Sequence, residues 1–126
     1  MANIDDARDN FVRGYREAML WANAYLADSD GELIDGRDYA EPEDVEREDA
    51  DAFWDSLGYV IAAIPFYIER GIDYAGHDFA LTRNGHGAGF WDRGLGRIGD
   101  MLTEEAKAFS SHYIAISDDG TVANHG

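Results

Sequence analysis

"GHDFALTRNGHGAGFW", residues 76–91, decides how the second half of the chain is read. It holds four glycines, two histidines and an Asn-Gly pair, and it ends on two bulky aromatics. Two short segments, "DFALTR" (78–83) and "AGFWDR" (88–93), flank "NGHG" (84–87). Asn84-Gly85 offers the positive-φ residues that a tight turn between paired strands requires. The spacing predicts an antiparallel hairpin over 78–93, within a 76–94 unit. Its turn falls at Asn84–Gly87, and Phe90 or Trp91 packs on a helix.

The flanks are helical in pattern. Upstream, Phe11, Tyr15, Met19, Ala22 and Leu26 recur every three or four residues and predict an amphipathic helix over 4–28. Pro42, followed by Glu43 and Asp44, suits a helix start, so a second helix is predicted over Pro42–Leu57. "GYVIAAIPFYIER" (58–70) continues as a more apolar helix, restarted at Pro65 and ended by Gly71. Downstream, "DMLTEEAKAFSS" (100–111) reads as a helix and "HYIAIS" (112–117) as a strand. The expected fold is therefore α+β: three to four helices packed on a small antiparallel sheet made of the 78–93 hairpin and strand 112–117. At 126 residues the chain suits a single domain, 1–126.

Composition narrows the function classes. There is no cysteine, which excludes disulfide scaffolds, thiolate zinc sites and cysteine nucleophiles. The start, "MANIDDARDN", lacks the apolar segment of a signal peptide, and the longest apolar run, ten residues containing Pro65, is too short to span a membrane. The expectation is a soluble, cytoplasmic protein. Twenty-six acids against ten bases give a net charge of −16, which repels nucleic acid and anionic membranes and favours basic partners.

Three further stretches match known motifs in part. His77, Asp78, His86 and Asp92 are the residue types that hold a divalent metal. In a hairpin, however, His86 sits at the tip and His77 at the base, over ~20 Å apart. "GLGRIG" (94–99) fits the dinucleotide-binding glycine pattern, with Asp118 and Asp119 about twenty residues on. Its lead-in is polar "WDR", only one such unit is present, and Asp100 at the helix start opposes a pyrophosphate. "DSDGELIDGRD" (28–38) has acids at alternate positions, but Leu33 and Tyr39 stand where a calcium loop needs glycine and glutamate. No serine sits in a nucleophile motif, so no catalytic residue is assigned and the chain is read as a non-enzyme without cofactor.

The acidic segment 28–55 is the strongest feature. It holds thirteen carboxylates against Arg37 and Arg47, a net −11 out of −16. The candidate partner-binding residues are Asp35, Asp38, Glu41, Glu43, Asp44, Glu46, Glu48, Asp49, Asp51 and Asp55. On a continuous 42–57 helix, carboxylates one turn apart lie ~5–6 Å from each other, near the spacing of phosphates along a nucleic-acid strand. A solvated charged face is the plainer account of such a run. Salt adaptation is another, but it would spread acids evenly.

The run "GHDFALTRNGHGAGFWDRGLG" (76–96) resembles a segment of small accessory proteins of tailed bacteriophages and prophages. The resemblance covers about a sixth of the chain. It implies a setting rather than an activity, since accessory genes of this kind often encode acidic inhibitors of host defence, such as antirestriction and anti-CRISPR proteins. Together with the acidic segment it gives the expected function: a nucleic-acid mimic in the host cytoplasm that blocks a basic nucleic-acid-binding protein through the 28–55 surface. Direct nucleic-acid or membrane contact is not expected, and a homodimer is allowed. The alternatives are a metal-binding protein or metal-dependent enzyme using residues 77–92, and a salt-adapted structural or virion component.

Overall fold

The longest helix, α1 (Ile4–Ala22), and its main packing partner, α4 (Ile72–Arg83), form the centre of the fold. A computed structural model describes residues 4–27 and 32–125, so Asp28 and Asp30 of the acidic segment lie outside the described residues. Between the two helices come strands β1 (Ala24–Leu26) and β2 (Leu33–Ile34), 3₁₀ turns at Gly36–Asp38 and Pro42–Asp44, and helices α2 (Glu48–Ile61) and α3 (Pro65–Arg70). After α4 follow a 3₁₀ turn (Phe90–Asp92), α5 (Arg97–Lys107), β3 (Tyr113–Ile116) and β4 (Val122–His125). The protein is α+β, with helices packed against a small four-stranded sheet of order β2-β1-β3-β4.

That sheet is mixed rather than antiparallel. β1 runs parallel to β3, with Ala24 opposite Ile114, while the outer pairs β1–β2 and β3–β4 are antiparallel. Strand β3 lies where "HYIAIS" predicts it. β1 lies within the predicted 4–28 helix; Asn23 breaks that helix by donating its side-chain Nδ2 to the Ala18 carbonyl, while its own carbonyl accepts from Ile114 N–H.

The core is aromatic. Phe11, Phe53, Phe79 and Phe90 are buried, and Phe53 stacks on each of the other three, with the Phe53 and Phe79 centroids 4.3 Å apart. α1 and α4 approach each other through glycine. A Cβ on Gly76 would stand 2.1 Å from the Phe11 carbonyl oxygen, and one on Gly14 would stand 1.9 Å from that of Asp73. No side chain fits between the two backbones at these points.

The predicted hairpin over 78–93 does not form. Residues 78–83 are the last turns of α4, residues 84–89 are a loop, and 90–92 are a 3₁₀ turn. The stretch "DFALTR" satisfies a helical period as well as an alternating one, because Phe79 and Thr82, with Ala75 one turn earlier, lie on one buried side. Asn84-Gly85 ends the helix instead of turning a hairpin. Gly85 has φ +72°, its N–H bonds to the Thr82 carbonyl, and the His86 N–H reaches back to the Leu81 carbonyl. This is the paired closure of a Schellman motif with a left-handed residue after the cap. Phe90 is buried in the core as expected, whereas Trp91 is about half exposed.

Replacing Gly85 with valine should therefore lower stability by about 1 kcal/mol or more. Among the described residues a Cβ there meets nothing within 4 Å, so the loss is backbone strain alone. Chemical denaturation should show it, and Gly87→Ala, also in open space and without a positive φ, serves as the control.

The acidic helix also departs from the expectation of one helix over 42–57. Val45 is buried, Arg16 Nε donates to its carbonyl, and Asn124 Oδ1 accepts from Glu46 N–H. These ties from α1 and β4 pin Val45, whose backbone is extended, and Glu46 ahead of the helix, so α2 starts at Glu48. The carboxylates of 43, 46 and 51 are thus not on one continuous helical edge.

Candidate functional site

The polar residues of the 76–91 segment are used for internal bracing. Asp78 is fully buried on α4; it accepts from Tyr67 Oη at 2.6 Å and from Arg93 Nη2 and Nε at 2.7 and 3.1 Å. Thr82 Oγ1 accepts from the Phe90 N–H, tying the helix to the 3₁₀ turn. The Asn84 amide reads both backbone groups of His112: its Nδ2 donates to the His112 carbonyl at 2.9 Å, and its Oδ1 accepts from the His112 N–H at 2.7 Å. It also donates to Asn23 Oδ1, which the His86 ring approaches through Nε2 at 2.7 Å. The glycine-rich loop thereby fastens the end of α4 to the start of β3.

The four proposed metal ligands of this segment point apart. His77 Nε2 faces Glu17 at 3.6 Å, Asp78 is taken by Arg93 and Tyr67, His86 is on Asn23, and Asp92 lies 3.9 Å from Arg93. Among the described residues these four do not form a metal-ligating group. Nor does "GLGRIG" follow a strand: a 3₁₀ turn precedes it, and Gly94 and Gly96 serve positive-φ positions before α5.

A second buried network centres on Arg83, whose side chain is 1% exposed. Its Nη1 donates to Tyr15 Oη and to Asp49 Oδ2, both at 2.9 Å. Its Nε and Nη2 donate to the carbonyls of Ser110 and Phe109, at 2.9 and 2.8 Å. Tyr15 Oη in turn donates to Glu46 Oε1 at 2.9 Å, and Glu46 Oε2 accepts from the Asp49 N–H. His112 closes the far side, its Nε2 3.8 Å from Glu46 Oε1. Tyr15, Arg83 and His112 are absent from the sequence-derived site because only the fold brings them to the acidic segment.

The acidic residues divide into two sets. Asp49, Asp51, Asp55 and Asp35 are paired: Asp49 with Arg83, Asp51 with Arg47 and Arg8, Asp55 with Arg8, and Asp35 with Arg37. The Arg47 hydrogen bond, aided by Arg8, holds the Asp51 carboxyl below its ordinary range. Arg37 does the same for Asp35. Asp38, Glu41, Glu43, Asp44 and Glu48 are exposed, with no cationic nitrogen within 4 Å among the described residues. Of these, Asp44 Oδ2 accepts from the Glu41 N–H, which fixes the local turn.

Two buried phenols give a pH signature. Burial pushes the Tyr15 hydroxyl well above its ordinary value near 10, with Glu46 adding to the shift; burial and the neighbouring Asp78 do the same to Tyr67. A folded-state pKa raised above the unfolded one gives stability that is complete below the unfolded pKa and is lost as pH rises above it. Above about pH 10, each phenol should remove about 1.4 kcal/mol per pH unit. Urea midpoints measured from pH 8 to 11 should fall accordingly, and Tyr15→Phe should flatten the slope.

No helix among the described residues is long and apolar enough to cross a membrane. No protein-family model, curated protein or solved structure matches this chain.

Proposed function

We propose that the chain is a non-enzymatic acidic inhibitor that presents the 38–48 surface to a basic nucleic-acid-binding groove of a host protein and competes there with nucleic acid. One observation carries this reading. Five carboxylates within eleven residues, Asp38, Glu41, Glu43, Asp44 and Glu48, stand in solvent with no cationic nitrogen within 4 Å among the described residues. Charges left unneutralised in this way are available to a partner's arginines and lysines, and they steer its approach. The resemblance of residues 76–96 to phage and prophage accessory proteins supports an anti-defence setting.

This face is narrower than the ten residues expected from sequence, because five of them are engaged internally. The paired acids serve the fold, and the free ones serve the partner. The test starts with affinity capture from host lysate, elution along a salt gradient, and competition of the captured protein with labelled duplex DNA. In the variant carrying Asp38→Asn, Glu41→Gln, Glu43→Gln and Glu48→Gln, folding should persist. Each exposed contact is worth about 0.2–1 kcal/mol, so affinity should fall between about fourfold and a thousandfold, with a shallower salt dependence. Unchanged affinity in that variant would overturn the reading.

A further inference from the structure

The geometry points to a divalent transition-metal site, for Zn²⁺ or Mn²⁺, built by Glu46, Asp49 and His112. This goes beyond the acidic-face reading and is independent of it. The donor atoms of the three side chains all lie within 4.8 Å of one another. They come from three places in the fold: the stretch that α1 and β4 hold out of the helix, the first turn of α2, and the residue before β3.

The decisive group is His112. Its side chain is nine-tenths buried, and its Nε2 is a buried nitrogen without a hydrogen-bond partner among the described residues. At 3.8 Å from Glu46 Oε1 it is too far for a hydrogen bond. A buried polar atom left unpaired costs free energy, and native structures rarely leave one so. Here the unpaired nitrogen faces a carboxylate, which is the arrangement that a cation between them would complete.

The donor chemistry selects the metal. One imidazole nitrogen and two carboxylate oxygens suit zinc or manganese better than calcium, which takes oxygen alone. Donors held about 2.0–2.2 Å from an ion lie no more than about 4.4 Å apart, so the observed spread closes with a few tenths of an ångström of side-chain movement. Tyr15 and Arg83 form the outer layer. Tyr15 Oη orients Glu46, and Arg83 Nη1 holds one oxygen of Asp49. The Arg83 charge opposes the ion, but two carboxylates outweigh it. Asp49 is 36% exposed and leaves a route for the ion and for water as a further ligand.

The experiment uses untagged full-length protein. Zn²⁺ is added in a calorimetric titration, Mn²⁺ binding is followed by electron paramagnetic resonance, and the His112 ring nitrogens are followed by NMR. One equivalent should bind, and the His112 Nε2 resonance should move on adding Zn²⁺. Glu46→Gln keeps an acceptor for Tyr15 while removing the charge, so it should fold and bind at least tenfold more weakly; His112→Gln should do the same. Glu43→Gln with Glu48→Gln should bind as the parent does. Absence of stoichiometric binding would overturn the site. So would an unmoved Nε2 resonance, or binding that survives Glu46→Gln but fails in the Glu43/Glu48 variant. Should His112→Gln not fold, Glu46→Gln and the NMR shift still decide.

Discussion

Replacing Arg93 with methionine should cost about 3–5 kcal/mol, the size expected when one partner of a buried ion pair is removed. Asp78 has no solvent access, and Arg93 supplies two of its three hydrogen bonds. Methionine retains length and apolar bulk, so most of the loss comes from the carboxylate left facing only the Tyr67 hydroxyl. A smaller part is the guanidinium over the Tyr74 ring, 5.0 Å from its centroid. Urea unfolding measures the difference. The double variant Arg93→Met with Asp78→Asn separates the causes, because the amide accepts from Tyr67 without a charge to desolvate. It should recover a large share of the stability lost in the single variant, giving a coupling of at least ~1 kcal/mol. A single-variant loss under ~1 kcal/mol would mean that Asp78 is not the buried anion described above.

What the sequence revealed, and what it hid, follows from the range of the forces involved. The α+β class was legible because α1, α5 and β3 carry strong local patterns, and Pro65 marks the start of α3 as its fixed φ requires. The 78–83 stretch is helical where a strand is predicted, because Asn84-Gly85 carries the same local chemistry in two settings. Glycine at positive φ serves a hairpin turn and a helix C-terminus equally. The choice between them is made by Gly76 against Phe11 and by Asn84 against His112, contacts that cross 65 and 28 residues of chain. The short strands β1, β2 and β4 have two to four residues each and exist only through their partners. The acidic segment was legible as charge, but not as two sets. Arg8 reaches Asp51 and Asp55 across more than forty residues, and Arg83 reaches Asp49 across thirty-four. Counting charges along the chain reveals none of these pairings.

Arg83 should prove as costly to replace as Arg93, and for a wider reason. Its guanidinium uses all three nitrogens: Nη1 on Tyr15 and Asp49, Nε on the Ser110 carbonyl, and Nη2 on the Phe109 carbonyl. It also lies over the Phe79 and Phe109 rings, 5.5 and 5.6 Å from their centroids. The two carbonyls follow directly on α5, where helix-end oxygens lack partners of their own. Ser110 holds φ +63°, an unfavourable value for a residue with a side chain, and the Arg83 bond to its carbonyl helps to fix it there. Arg83→Met should therefore lose about 3–5 kcal/mol, since the Tyr15 oxygen and the two carbonyls each lose a donor at about 1–3 kcal/mol apiece. Arg83→Lys should recover less than half of that, because one ammonium cannot reach acceptors spread around a planar fork. Hydrogen exchange supplies the sharper readout. Amides at the end of α5 and the start of β3 should lose protection in both variants, ahead of those in the middle of α1. Lysine restoring full stability would reduce Arg83 to a point charge, and uniform loss of protection would deny it a role in joining α4 to the α5–β3 junction.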